Sequence, residues 1–134
     1  MKYAYPILIE QHENGYYTAE APDLPGVVVG GDTLADVLQA ASDACAMWLA
    51  DAESEREAIP APTDVHALTA VAPDLVSVVP IDTDEYRRKN DTRAVKKTIS
   101  LPAWMADQAD KAGISLSQTV QEALRAKLSA SSAR

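Results

Sequence analysis

The sequence predicts an α+β protein of two modules: an antiparallel sheet backed by one long helix, then a separate strand–helix–helix segment. Three observations carry this expectation. Short stretches of β-forming residues separated by turn signals fill residues 3–29. From Thr33 the apolar spacing switches to the helical period. Charge then divides the chain: residues 1–86 hold sixteen Asp or Glu against Lys2 and Arg56, a net −14, while residues 87–134 hold ten Lys or Arg against four acids, a net +6. Such a division points to different partners for the two parts.

Tyr3, Tyr5, Ile7 and Ile9 alternate along a first strand, and Tyr16 to Ala21 reads as its hairpin partner across the Glu13-Asn14-Gly15 turn. Pro22-Asp23-Leu24-Pro25-Gly26 breaks the pattern, and Val27-Val28-Val29 forms a short third strand closed by Gly30-Gly31. Thr33 is a helix N-cap with Asp36 at the capping-box position. Leu34, Val37, Leu38, Ala41, Cys45, Trp48, Leu49 and Ala52 then make one apolar face of a helix running to about Glu57. Ile59-Pro60-Ala61-Pro62 ends it. Asp64 to Ala72 predicts a short helix using Val65, Leu68 and Val71, and Leu75 to Val79 a fourth strand. Pro80 lacks a donor and favours a sheet edge. Asp82 to Asn90 runs from acidic to basic, the order a short helix prefers for its dipole.

The polar joint Asn90-Asp91-Thr92 divides the expected domains, 1–89 and 93–134. Beyond it, Ile99 and Leu101 share one face of a strand, and Lys96, Thr98 and Ser100 the other. Pro102 ends that strand and opens a helix over Ala103 to Ala112, with Trp104, Met105, Ala109 and Ala112 on its buried side and Gly113 as its stop. Ser115, with Gln118 completing a capping box, begins a second helix striped by Leu116, Val120, Ala123, Leu124 and Leu128.

A lone strand with two short helices satisfies neither its backbone nor its apolar stripes. A second copy repairs both, its strand pairing antiparallel with the first and Ile99, Leu101, Val120 and Leu124 forming the dimer core. The resulting ribbon presents Lys96, Thr98 and Ser100 twice on one face, suited to base edges in a major groove. Lys97 is expected on a phosphate, as are Ser115 and Ser117 at the start of the second helix.

Composition narrows the rest. The chain has no Phe and only five Tyr and two Trp, so its core is aliphatic. A lone cysteine, Cys45, is expected as a buried apolar residue, and its spacing to His12 and His66 gives no metal-ligand pattern. No cofactor is expected. Glu10, Glu20, Asp23 and Asp32 lie near strands, but no converging carboxylate set suggests a nuclease. His12 reads as a hairpin residue and His66 as an exposed helix residue, neither beside a Ser or Cys nucleophile. Without a leader or a long apolar run, the chain is expected in the cytoplasm and off the membrane.

The order strand, Leu101-Pro102, helix, Gly113-Ile114-Ser115-Leu116-Ser117, helix resembles the ribbon-helix-helix repressors, although Lys97 stands where that family usually has an apolar residue. With Gly15-Tyr16-Tyr17, the Pro22–Gly26 turn, Gly30-Gly31-Asp32-Thr33 and Ile59-Pro60-Ala61-Pro62 ahead of it, the chain from Tyr3 to Leu128 resembles the HicB-type antitoxins with that C-terminal domain. The resemblance implies a partial ribonuclease-H-like front domain without catalytic function. That domain would bind a HicA-type toxin, a small basic ribonuclease, while the back domain would bind operator DNA and repress the operon. It also implies a homodimer through the back domain, with larger assemblies up to a tetramer. An acidic front suits a basic partner, and Glu10, Glu13, Glu20 and Asp23 are the candidate toxin contacts. The main alternatives are a stand-alone repressor with a ligand-sensing front domain and a scaffold that merely dimerises.

Overall fold

The computed structural model of the chain describes residues 1–90 and 93–132. It divides into two compact units, Met1–Arg93 and Ala94–Arg134. The joint residues Asp91 and Thr92 lie outside the described residues.

The first unit is a four-stranded antiparallel sheet with one long helix on a single face. Strand β1 (Lys2–Gln11) pairs with both β2 (Tyr17–Glu20) and β4 (Leu75–Asp82), and β3 (Val28–Gly31) adds to β2, giving the order β3-β2-β1-β4. The hairpin forms where Gly15 takes a φ of 84°, a backbone state that glycine adopts without a Cβ penalty. His12 is a hairpin residue, its ring 3.0 Å from the Thr18 hydroxyl. Gly30 and Gly31 do not close the third strand, as their residue type suggests; they are part of it. The reason is close approach. A Cβ on Gly30 would stand 2.2 Å from the Tyr16 hydroxyl, and one on Gly31 would stand 2.7 Å from the Val37 backbone nitrogen.

Helix α1 (Leu34–Glu55) is capped by Thr33, whose hydroxyl accepts from the Asp36 backbone N–H at 3.1 Å. It stops two residues short of Glu57 because Arg56 turns left-handed and closes the last carbonyls. Val37, Ala41, Cys45, Ala46, Leu49, Ala50 and Ala52 are buried, and the core forms between most of them and Tyr5, Ile7, Ile9, Ala19, Val79 and Ile81 of the sheet. Leu38 and Trp48 pack partly against it, whereas Leu34 is exposed. Leu24, from the Pro-rich turn, is also fully buried, a core position that the turn signals conceal. Burial pushes the Cys45 thiol up to about 11, as befits a small apolar residue.

The connection after α1 departs from expectation. Instead of a helix over residues 64–72, only Val65–Ala67 turns, as a single 3-10 turn capped by Asp64. Val71 does not pack inward; it is 85% exposed. Three apolar residues at helical spacing bring too little buried surface to hold a helix next to Pro73. Strand β4 runs further than the apolar run suggests, to Asp82, and carries Pro80 on the sheet edge.

Helix α2 (Thr83–Asn90) follows β4 at once, held by Glu53 of α1. The Glu53 carboxylate accepts from the Thr83 hydroxyl at 2.8 Å, the Arg87 guanidinium at 2.9 Å and the Tyr3 hydroxyl at 3.0 Å. Burial would raise its pKa, but the hydrogen bonds from Thr83, Arg87 and Tyr3 outweigh that and hold it below the usual carboxylate range.

In the second unit, α3 (Ala103–Lys111) starts at Pro102 and ends before Gly113, whose φ is 69°. Helix α4 (Leu116–Ser132) begins with the Ser115 hydroxyl accepting from the Gln118 N–H at 3.3 Å. The capping box is only half made, because the Gln118 side chain donates to Glu122 instead. Residues 93–102 carry no regular structure.

Candidate functional site

Two surfaces collect the residues that the sequence singles out. The first lies in the second unit. Among the described residues, the backbone of 95–101 makes no hydrogen bond, and Lys96, Lys97, Thr98 and Ser100 are all exposed. The apolar side chains are exposed too. Ile99 is 52% accessible, Trp104 61% and Leu124 53%, and the expected buried face of α3 keeps only Ala109 half-covered. Val120 is half-buried. Such a stripe of apolar side chains on a unit of some forty residues has no interior of its own to occupy. Ser115 caps α4, while the Ser117 hydroxyl accepts from Gln121 at 3.3 Å.

The second surface is the face of the sheet opposite α1. Leu8 stands across from Glu20 and Val76, Glu20 from Val28, and Glu10 from Thr18, so these side chains share one face. Residues 69–71 and Asp74 border it, leaving an open groove of about 460 Å³. Among the described residues, Glu10 and Glu20 line this groove with no hydrogen bond or ion pair, and no Lys or Arg lines it. Glu13 is apart, on the hairpin turn. Asp23 is committed elsewhere: its carboxylate accepts from the Thr63 N–H at 2.9 Å and the Thr63 hydroxyl at 2.5 Å, tying down the segment after α1. Of the four candidate acids, the fold therefore brings together two. Val28, expected only as a strand residue, and Val71, expected on a helix face, are both exposed in this groove.

A further groove, of about 540 Å³, lies between α1, α2 and β4 and mixes Lys2 and Lys89 with Asp43, Asp82 and Glu85. No group of three or more His, Cys, Asp or Glu side chains able to hold a metal exists among the described residues. His66 is exposed in the 3-10 turn. No helix among the described residues is long and apolar enough to cross a membrane.

The HicB-like antitoxin of bacterial toxin–antitoxin systems, as a family, matches residues 5–130, which spans both units. This chain belongs to that family. As a HicB-like antitoxin it is also similar to solved structures. A chain of a toxin–antitoxin complex from Streptococcus pneumoniae superposes with a TM-score of 0.61 at 22% identity, covering 95% of this chain and 99% of that one. The Burkholderia pseudomallei antitoxin HicB gives 0.54 at 18% identity, over 91% and 96% of the two chains. The N-terminal domain of that antitoxin gives 0.53 at 23% identity, covering 60% of this chain and 99% of its own. At these identities the likeness is one of fold, an α+β architecture that the HicB antitoxins share. No curated protein sequence matches the chain.

Proposed function

We propose that this HicB-like antitoxin binds and neutralises a HicA-type toxin through residues 1–89 and represses its own operon through residues 93–134. On this reading the front domain is a partial ribonuclease-H-like scaffold with no catalytic role of its own. The back domain is a ribbon-helix-helix module. It dimerises along Ile99, Leu101, Val120 and Leu124, reads operator bases with Lys96, Thr98 and Ser100, and meets phosphates with Lys97, Ser115 and Ser117.

One observation carries the reading: the chain joins an acidic unit with a finished core to a basic unit whose apolar stripes are exposed. Pairing two copies of 95–101 satisfies their backbones and aims the alternate polar face outward. The net −14 of residues 1–86 repels nucleic acid and favours a cationic protein instead.

The test has two arms on native protein. Purification should bring down a small basic ribonuclease whose RNA cleavage is suppressed in the complex. Gel shifts on DNA upstream of the gene should show salt-dependent binding that Lys96→Ala weakens by roughly 1–3 kcal/mol without affecting toxin suppression. Absence of any such ribonuclease counts against the antitoxin half, and unchanged operator affinity in the variant against the ribbon.

A further inference from the structure

We propose that the open sheet face of the first unit, centred on Glu10, Glu20, Val28 and Val71, is the surface on which the toxin docks. This inference rests on the antitoxin reading and names the site within it.

Helix α1 covers one face of the sheet; on the opposite face Pro6 is buried and Leu8 and Val76 are half-buried, while Glu10, Glu20 and Val28 are exposed beside residues 69–71. Glu10 and Glu20 sit on neighbouring strands as diagonal partners in register, roughly 7–8 Å apart at the backbone. A lysine or arginine side chain fits between carboxylates so placed. Neither has an internal partner among the described residues, so an incoming cation displaces no existing pair. Several other carboxylates of this unit are occupied: Glu53 by Arg87 and Thr83, Asp23 by Thr63, Asp84 by the Met1 amine at 3.0 Å.

Apolar surface stands beside the charge. Val28 is 67% exposed and Val71 85%, and both line the groove. Tyr16 lies on the same face because Gly30 has no Cβ to push its ring away, and it remains 39% exposed. An aromatic ring and aliphatic side chains around unpaired acids are the makings of a protein interface, not of a solvated face. The occupant is set by charge. A toxin that acts on RNA carries cations to hold phosphates, and a groove lined by carboxylates without a cation meets that surface and hides it. The groove between α1 and α2 is the weaker candidate, since Lys2 and Lys89 already neutralise part of its acid.

The experiment measures affinity of the full chain for the basic toxin that co-purifies with it, at physiological salt. Glu10→Lys combined with Glu20→Lys should weaken binding roughly 100-fold or more. The same charge change on the exposed end of α1, Asp51→Lys with Glu55→Lys, should alter it by less than about 3-fold. Val71→Asp, at a position too exposed to affect folding, should weaken binding about 10-fold and keeps the test open if the double variant misfolds. Failure of the unaltered chain to bind sinks the antitoxin reading itself. Normal binding by both the double variant and Val71→Asp overturns only the docking face. Tighter binding by the double variant means the chain's own basic unit occupies the groove, and a smaller sedimenting mass at unchanged affinity means a second copy does. Both of those results overturn the proposal.

Discussion

Replacing Glu53 by Ala should destabilise the first unit by about 2–3 kcal/mol, a value that follows from its partners. The carboxylate takes three hydrogen bonds, from Thr83, Arg87 and Tyr3, and its side chain is only 17% exposed. A hydrogen bond to a charged group contributes about 1.5–3 kcal/mol. The three losses do not simply add. Arg87, 34% exposed, can turn to water, and the Thr83 hydroxyl also reaches the Met1 carbonyl at 3.2 Å. Roughly one full bond is lost, together with the packing of the glutamate stem under α2. For a unit of this size the melting temperature should fall on the order of 10–20 °C. Urea denaturation followed through Trp48, which packs on the core, measures it. The pH profile supplies a second readout. The folded carboxyl is held below its unfolded value, so its contribution is fully present above the ordinary glutamate range. It is lost as pH falls through the lower folded value. The gap between wild type and variant should thus be constant near neutrality and close in acid. A loss under about 0.5 kcal/mol at neutral pH, or a gap that widens on acidification, refutes the network as the anchor of α2.

Gly31→Ala should cost about 1–3 kcal/mol, because its Cβ would stand 2.7 Å from the Val37 nitrogen; chemical denaturation showing unchanged stability contradicts that close approach. The Cys45 thiol, fully buried and raised to about 11, should label with iodoacetamide at pH 8 at least about 100-fold more slowly in the native protein than in urea. Labelling at equal rates means the core opens readily around α1. Leu124→Asp in residues 93–134 should leave that segment monomeric in sedimentation, since the dimer would bury an unpaired charge. A surviving dimer places the α4 stripe elsewhere.

Much of this was legible from spacing alone. The helix from Thr33, the hairpin around Gly15 and the charge order of residues 82–90 each follow from local chemistry that no neighbour contradicts. What was illegible depended on contacts between segments distant in sequence. Gly30 and Gly31 look like strand breakers until Tyr16 and α1 come close enough to demand residues without side chains. Val65, Leu68 and Val71 look like a helix face until the sheet leaves them little to pack on. Leu24 is hidden inside a turn signal because turn chemistry describes the backbone and not where the one apolar side chain goes. Asp23 and Glu10 are equally acidic on paper, and only the path of residues 59–63 distinguishes the one that is bonded from the one that is free.

The contrast between the units has a physical consequence for the proposed function. The first unit buries Tyr5, Ile7, Val37 and Leu49 completely within a single chain, so its fold does not depend on concentration. The second unit exposes Ile99, Trp104, Leu124 and Leu128, so on the proposed reading its order is coupled to association. Dilution then acts on the two activities differently. Toxin docking falls with the first power of chain concentration, whereas operator binding by a dimer falls more steeply below the dimer dissociation constant. On the proposed reading, repression is therefore the more concentration-dependent of the two activities. That difference follows from where the apolar side chains lie in each unit.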